Sequence, residues 1–307
     1  MNLTRRLLAS SALVCAAVIA PTTYAQNAAN PPVAIAHDPA PDKANPASMT
    51  SFQLPSHGGL LNALVYVAAG AGPHPAVVLL HGFPGNERNL DLAQTLRRAG
   101  YDVLFFDYRG SWGSPGVFSF SNVIEDTQAA VAYLRDAANA QRLRSDPGNI
   151  ILIGHSMGGF AARYVAAHNP AIRATVLISA ADMVKGTDKL PEQAEPMVVP
   201  KIAAGLAAEG MAPLAGCTPE SLAKEVFAHR AEWAPVAVAP GLTGRPLLVV
   251  TSDDGLAASN DGVTDAIRKA GGKQVTAIHI ATDHSYSDSR IALATAVLGF
   301  LDGLPKK

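Results

Sequence analysis

The chain has 307 residues, 49% of them hydrophobic and 16% charged, with a formal net charge of −1. That is enough apolar material for one large domain or two modest ones with a full core. The near balance of charge excludes a polyanion-seeking protein, so nucleic acid is not an expected partner.

The N-terminal segment reads as an export signal. Arg5 and Arg6 form a short basic region, Leu7 to Ala20 is an apolar stretch, and Thr23-Tyr24-Ala25 carries small residues at the cleavage spacing. Cutting is expected after Ala25, which gives a secreted or periplasmic protein. The apolar stretch is short for a bilayer span, so no stable membrane anchor is expected after cleavage. Thr4-Arg5-Arg6-Leu7-Leu8 also resembles a twin-arginine signal. Cleavage removes Cys15 and leaves Cys217 without a partner in the chain, so core burial rather than a disulfide must hold the fold. Cys217 itself reads as a small buried apolar residue. Residues 26–50 are rich in Ala, Pro and Asn and lack apolar periodicity, and a disordered leader is expected there.

From residue 51 the chain alternates strand and helix signals. Ser51–Leu54 and Leu60–Val67 flank His57-Gly58-Gly59 and read as an antiparallel hairpin. Ala76–Leu80 is a buried strand, Leu90–Ala99 a helix stopped by Gly100, and Asp102–Phe106 the next strand. Val123–Leu143 carries apolar residues at helical spacing. Asp146-Pro147 reads as a turn. Further strands are expected at Ile150–Ile153, Ile172–Ile178, Leu247–Val250 and Val275–Ile280, and further helices at Phe160–Ala167, Gly262–Lys269 and Ile291–Leu301. This alternation points to an α/β fold with a mostly parallel sheet covered on both faces. Residues 182–240 separate two strands by far more than a connection needs. With two amphipathic stretches, Pro196–Met211 and Thr218–Trp233, they read as a helical lid insertion.

Gly154-His155-Ser156-Met157-Gly158 sits between the Ile150–Ile153 strand and the next helix. A serine in such a tight turn projects its hydroxyl away from the backbone, and its neighbours must be small because strand and helix crowd there. Serine needs a base to take its proton and a third group to orient that base. His284 lies in a polar loop after the last strand, whereas His279 sits within the strand, so His284 is the expected base. Thr251-Ser252-Asp253-Asp254 leaves a strand end and offers two adjacent acids. Asp254 is chosen over Asp253, with Asp182 a further candidate. The oxyanion formed on attack needs N–H donors, expected at Met157 and at Phe83 in His81-Gly82-Phe83-Pro84-Gly85. Trp112 and Phe118 can line the substrate site or pack beneath the lid. Arg109 can bind a substrate carboxylate or serve structure. His155 is expected to pack or hydrogen-bond away from the chemistry. His37, His57, His74, His168 and His229 show no metal-ligand spacing.

With these features in order, the chain resembles the α/β-hydrolase family over roughly residues 52–303, most of all its serine esterases and prolyl-oligopeptidase-like hydrolases. The resemblance implies an eight-stranded sheet, a Ser156–His284–Asp254 triad, and hydrolysis of a small-molecule ester without metal or cofactor. The acid turn departs from the family in lacking the glycine that commonly opens it. The rival readings are a peptidase or amidase with the same machinery, and a binding protein on the same scaffold.

Overall fold

The computed structural model describes residues 31–305. The expected signal segment and the start of the expected leader, residues 1–30, lie outside the described residues. The rest of the leader is a correction. Val33–Ala36 forms one helical turn (α1), and the first strand begins at Ser48. The reason is a set of donors waiting on the domain surface. Arg98 Nε donates to the Ala34 carbonyl at 2.7 Å, Gly70 N to Asn45 O at 2.9 Å, and Arg144 Nη2 to Pro46 O at 3.1 Å.

The elements then run β1 (Ser48–Ser56), β2 (Gly59–Val67), β3 (His74–Leu80), α2 (Leu90–Arg98), β4 (Asp102–Phe106), α3 (Phe120–Arg135), α4 (Ala137–Leu143), β5 (Ser145–His155), α5 (Met157–His168), β6 (Ala174–Ile178), α6 (Glu195–Ala208), α7 (Pro219–Ala228), β7 (Leu247–Thr251), α8 (Ala257–Lys269), β8 (Val275–His279) and α9 (Arg290–Asp302). They build one eight-stranded sheet in the order β1-β2-β4-β3-β5-β6-β7-β8. Only the β1–β2 and β2–β4 pairs are antiparallel.

The apolar runs explain the layers. Strand side chains alternate, so a strand buried on both faces must be apolar throughout. In β3, Ala76, Val78 and Leu80 join the core beneath α3 and α5, while Val77 and Leu79 join the core beneath α2 and α9. Ile150 and Leu152 of β5 follow the first set, and Ile151 and Ile153 the second.

Two element boundaries differ from the sequence expectation. The single helix expected over Val123–Leu143 breaks at Asp136, which leaves helical geometry (ψ 128°) and caps α4 by accepting from Asn139 N. The Asp146-Pro147 turn lies inside β5, where pairing with β3 slips from His74↔Ser145 to Ala76↔Ile150. The 182–240 insertion holds α6 and α7. Thr218 and Ser221 form a reciprocal capping box with Pro219 at the first helical position of α7. The insertion is tied to the loop after β4: Trp112 N donates to Pro213 O, Ala215 N to Gly110 O and Phe118 N to Ala215 O. Among the described residues no helix is long and apolar enough to cross a membrane.

The fully buried Phe160 of α5 packs edge-on against Trp233, so the helix that carries the sharp turn is clamped to the insertion. Phe160→Ala is expected to destabilise the protein by about 3–5 kcal/mol, read as a lowered urea midpoint at unchanged slope.

Candidate active site

β5 ends at His155 and α5 begins at Met157, leaving Ser156 in the turn with φ 55° and ψ −119°. This left-handed backbone is costly for a non-glycine residue. Three bonds hold it: Ser156 N donates to Ile178 O, and Ser156 O accepts from Phe160 N and Ala181 N. The flanking glycines are demanded by contact. A Cβ on Gly154 would stand 2.1 Å from Gly158 O, and one on Gly158 would stand 2.2 Å from Leu80 O.

The loop after β3 lies against this turn. A Cβ on Gly82 would meet Ser156 Cβ at 2.9 Å. The backbone N–H groups of Phe83 and Met157 have no hydrogen-bond partner among the described residues. Beneath them, His81 is fully buried, and burial pushes its imidazole down to about 4. His81 Nδ1 donates to Gly82 O at 2.8 Å, which leaves Nε2 facing Asp107 Oδ1 at 3.7 Å. Asp107 is itself pushed up to about 6 by burial, against the pull of Arg88 at 3.3 Å.

Of the sequence-expected acids, Asp254 meets the expected base: His284 Nδ1 donates to Asp254 Oδ2 at 2.7 Å. The Asp254 side chain is 4% exposed and that of His284 40%. Burial raises the Asp254 carboxyl, but hydrogen bonds from His284 Nδ1 and Leu256 N, helped by the neighbouring Ser179 and Ser252 hydroxyls, outweigh it and hold the group below its ordinary value. Asp253 instead accepts from His279 Nε2 at 3.1 Å on the surface, and Asp182 accepts from Ser259 and Val184 N. His155 Nε2 donates to the His284 carbonyl at 2.9 Å, and the two rings pack at a 39° tilt with centroids 4.7 Å apart. The residue next to Ser156 thus carries the His284 ring. The Ser156 hydroxyl has no hydrogen bond among the described residues, to His284 or to any other group. Serine–base bonds of this kind are often long before substrate binds.

Two tentative substrate contacts are corrected. Arg109 is turned inward: its Nε donates to Asp126 Oδ1 at 2.7 Å, its Nη2 to Glu125 Oε2 at 2.5 Å, and its backbone N to Asp126 Oδ2. Asp126 is fully buried and needs that charge. Trp112 is pinned to the loop after β3, with Nε1 donating to Pro84 O at 2.8 Å and the Arg88 guanidinium 4.4 Å from its ring. Phe118 is buried and, with Phe120, packs against Phe83. Burial raises the Cys217 thiol, so it is not an activated nucleophile. Nothing in the sequence singles out Ser179, Ser252 or Tyr286, which gather beneath Asp254 from three separate loops.

Two outcomes are expected. Arg109→Met leaves Asp126 unpaired, so stability falls by about 3 kcal/mol while KM for a neutral ester is unchanged; chemical denaturation and steady-state kinetics read the two effects. His155 is pushed down to about 4 by burial and by His284. The unfolded histidine takes up a proton below its ordinary 6.5, but the folded one stays neutral until about 4. Folding stability from this group is therefore complete above 6.5 and is lost as pH falls, at about 1.4 kcal/mol per pH unit. His155→Asn should flatten that slope in urea titrations between neutral pH and pH ~4.5.

The Alpha/beta hydrolase family matches residues 77–296. An uncharacterized protein of Mycobacterium tuberculosis is 34% identical over 100 residues, covering 32% of this chain and 34% of the relative. A probable alcohol acetyltransferase of Saccharomyces cerevisiae is 32% identical over 102 residues, covering 32% of this chain and 28% of that protein. The chain thus spans about a third of the length of the curated relatives it matches. Among solved structures, a thermophilic carboxylesterase cloned from a metagenomic library superposes with a TM-score of 0.63 at 23% identity, covering 85% of this chain and 91% of that one. An esterase of Pyrobaculum calidifontis gives 0.64 at 21% identity, covering 85% and 88%. The matched stretch takes in the loop after β3, the Ser156 turn, the Asp254 turn and His284, and the sheet has the fold of these esterases: the chain belongs to the α/β-hydrolase family.

Proposed function

We propose that this protein is an exported serine hydrolase that cleaves small carboxylic esters through an acyl-enzyme. The observation that carries the reading is the His284–Asp254 hydrogen bond, with His284 packed on the residue next to a strained serine turn, and with the Phe83 and Met157 N–H groups free of partners among the described residues. Ser156 Oγ attacks the ester carbonyl while His284 Nε2 takes its proton. Asp254, whose carboxyl is held below its ordinary value, holds Nδ1 protonated and steadies the imidazolium. The Phe83 and Met157 N–H groups receive the negative charge on the carbonyl oxygen. His284 then gives its proton to the departing alcohol. In the second half it draws a proton from water, whose oxygen attacks the acyl-serine, and it returns that proton to Ser156 Oγ as the acid leaves.

Two features support a neutral, apolar ester. Arg109, a cation near the strand ends, is fully engaged with Asp126 and Glu125. The insertion and the loop after β3 offer partly exposed apolar side chains, among them Phe83, Met183, Met211 and Leu214, packed on the main core. The export part of the reading rests on the N-terminal signal pattern alone, and cleavage after Ala25 is checked by the mass of the mature protein.

Three experiments test the reading. A fluorophosphonate probe should label the folded protein, and Ser156→Ala should abolish labelling; a well-folded parent that stays unlabelled returns the protein to the binding-scaffold reading. Asp254→Asn should lower kcat on the order of 10⁴-fold, with Asp253→Asn close to the parent. In a substrate panel, hydrolysis of aryl esters over aminoacyl amides is expected, and turnover of the amides alone would overturn the ester assignment.

A further inference from the structure

His284 stands in an irregular loop, residues 280–289, between the end of β8 and the start of α9. Two successive carbonyls of this loop are turned into the protein. His284 O accepts from His155 Nε2, and Ser285 O accepts from Arg290 Nη1 at 2.9 Å. The chain then turns sharply through Tyr286, a fully buried residue with φ 56°. Arg290 is the first residue of α9, and no step above uses it.

The rest of the Arg290 guanidinium is spent on the start of α2. Nε donates to Asp91 Oδ2 at 2.8 Å, and Nη2 donates to Asp91 Oδ1 at 2.5 Å and to Asn89 Oδ1 at 2.9 Å. Two parallel bonds to one carboxylate fix the plane of the guanidinium as well as its position. Asn89 is 1% exposed and holds a left-handed backbone, φ 54°, at the head of α2. Its side chain is therefore a fixed acceptor and not a mobile surface amide. A pair that merely joined α2 to α9 would need Asp91 alone. The bond from Nη1 does something further: it reaches back five residues, to the carbonyl beside the expected base. The element at the other end closes the loop after β3, which carries the Phe83 N–H.

We propose that Arg290, held by Asp91 and Asn89, is a positioning residue that fixes the His284 loop against α2 and so sets where the imidazole stands relative to the Ser156 turn and the Phe83 N–H. The proposal rests on the Ser156–His284–Asp254 reading above. Without the fork, Asp254 still holds Nδ1 and His155 still holds the His284 carbonyl, so the base remains present but is less well aimed. Misplacement of a catalytic group lowers the rate of the chemical step. Arg290 touches none of the groups assigned to the ester, so substrate binding is untouched.

The test uses the full-length chain with Arg290→Ala, Arg290→Lys and Asp91→Asn, and a neutral aryl ester. Turnover is measured well below each melting temperature and expressed per site titrated by the fluorophosphonate. Arg290→Ala should lower kcat about tenfold at unchanged KM, and Asp91→Asn about threefold. Arg290→Lys keeps the charge but cannot serve both Asp91 oxygens and Ser285 O at once, so it should stay near Arg290→Ala. Millimolar guanidinium should restore part of the lost kcat in Arg290→Ala and none in the parent. That rescue separates aim from stability, since guanidinium weakens folding in every variant. Unchanged kcat in folded Arg290→Ala overturns the proposal. So does a loss that guanidinium leaves in place, which marks Arg290 as a structural staple. Should Arg290→Ala fail to fold, Asp91→Asn decides, because that side chain is half exposed and the change keeps its shape; parental kcat there is equally fatal. Labelling keeps the two readings apart: a labelled parent with unchanged variants sinks the Arg290 role alone, and an unlabelled parent sinks both.

Discussion

The site depends on one backbone crossing. The start of α5 passes so close to the end of β3 that Gly158 leaves no room for a Cβ beside Leu80 O. The Ser156 turn and the loop that follows Leu80 therefore cannot shift independently. Through that crossing, the Met157 N–H and the Phe83 N–H are set relative to each other by sheet and helix, not by flexible side chains. Donors placed in advance cost no reorganisation when charge develops, which is where most of their value lies. The strain at Ser156 belongs to the same arrangement. Its amide and carbonyl are tied to Ile178, Phe160 and Ala181, so relaxing the turn would break bonds to both neighbouring elements.

Two carboxylates near this crossing show how the fold chooses protonation states. Asp107 and Asp254 both leave strand ends, and both side chains are less than one-tenth exposed. Asp107 faces His81 without a hydrogen bond and has Arg88 for a neighbour, so burial wins and its carboxyl rises to about 6. Hydrogen bonds from His284 Nδ1 and Leu256 N, with two hydroxyls nearby, outweigh burial at Asp254. Burial alone would neutralise an acid; donors aimed at its oxygens keep it charged. Only the second is suited to steady an imidazolium. The inward Arg109 follows the same logic, serving the fully buried Asp126 at the cost of any role toward substrate.

How much of this was legible in the sequence follows from which constraints are local. The strands were legible because burial on both faces forces unbroken apolar runs. The Gly154–Gly158 turn was legible because the crowding acts between neighbours in the chain. The break at Asp136 was not, since a capping aspartate looks like an exposed helical one until the backbone leaves the helix. Asp253 and Asp254 could be read as pointing apart, by alternation, but which faced inward depended on His284 arriving from another loop. Arg109 and Trp112 were ambiguous for the same reason, because their partners, Asp126 and Pro84, are chosen by tertiary packing. The cluster of the Ser179, Ser252 and Tyr286 hydroxyls was wholly hidden. It draws residues 179, 252 and 286 from three strand-end loops, and serine and tyrosine in loops are unremarkable by type.

The same contacts divide the molecule into a part that fixes chemistry and a part free to vary. Ser156, Asp254 and His284 leave elements of the central sheet or the loops between them, and the polar groups around them are buried. The 182–240 insertion is held differently, by backbone bonds between Gly110, Trp112 and Phe118 and the Pro213–Ala215 segment, and by the Glu225 carboxylate accepting from Phe120 N and Ser121 N. Leu222, Val226 and Trp233 of the insertion are buried in the main core as well. In α6 only Val199 is buried, with Ile202 and Leu206 packed in part against the main core, and the rest of that helix is open to substitution. Substitutions along the exposed face of α6 can therefore change the surface of the insertion without moving the carboxylate, the imidazole or the N–H donors, which are set by the sheet and by the buried groups of the loops at its strand ends.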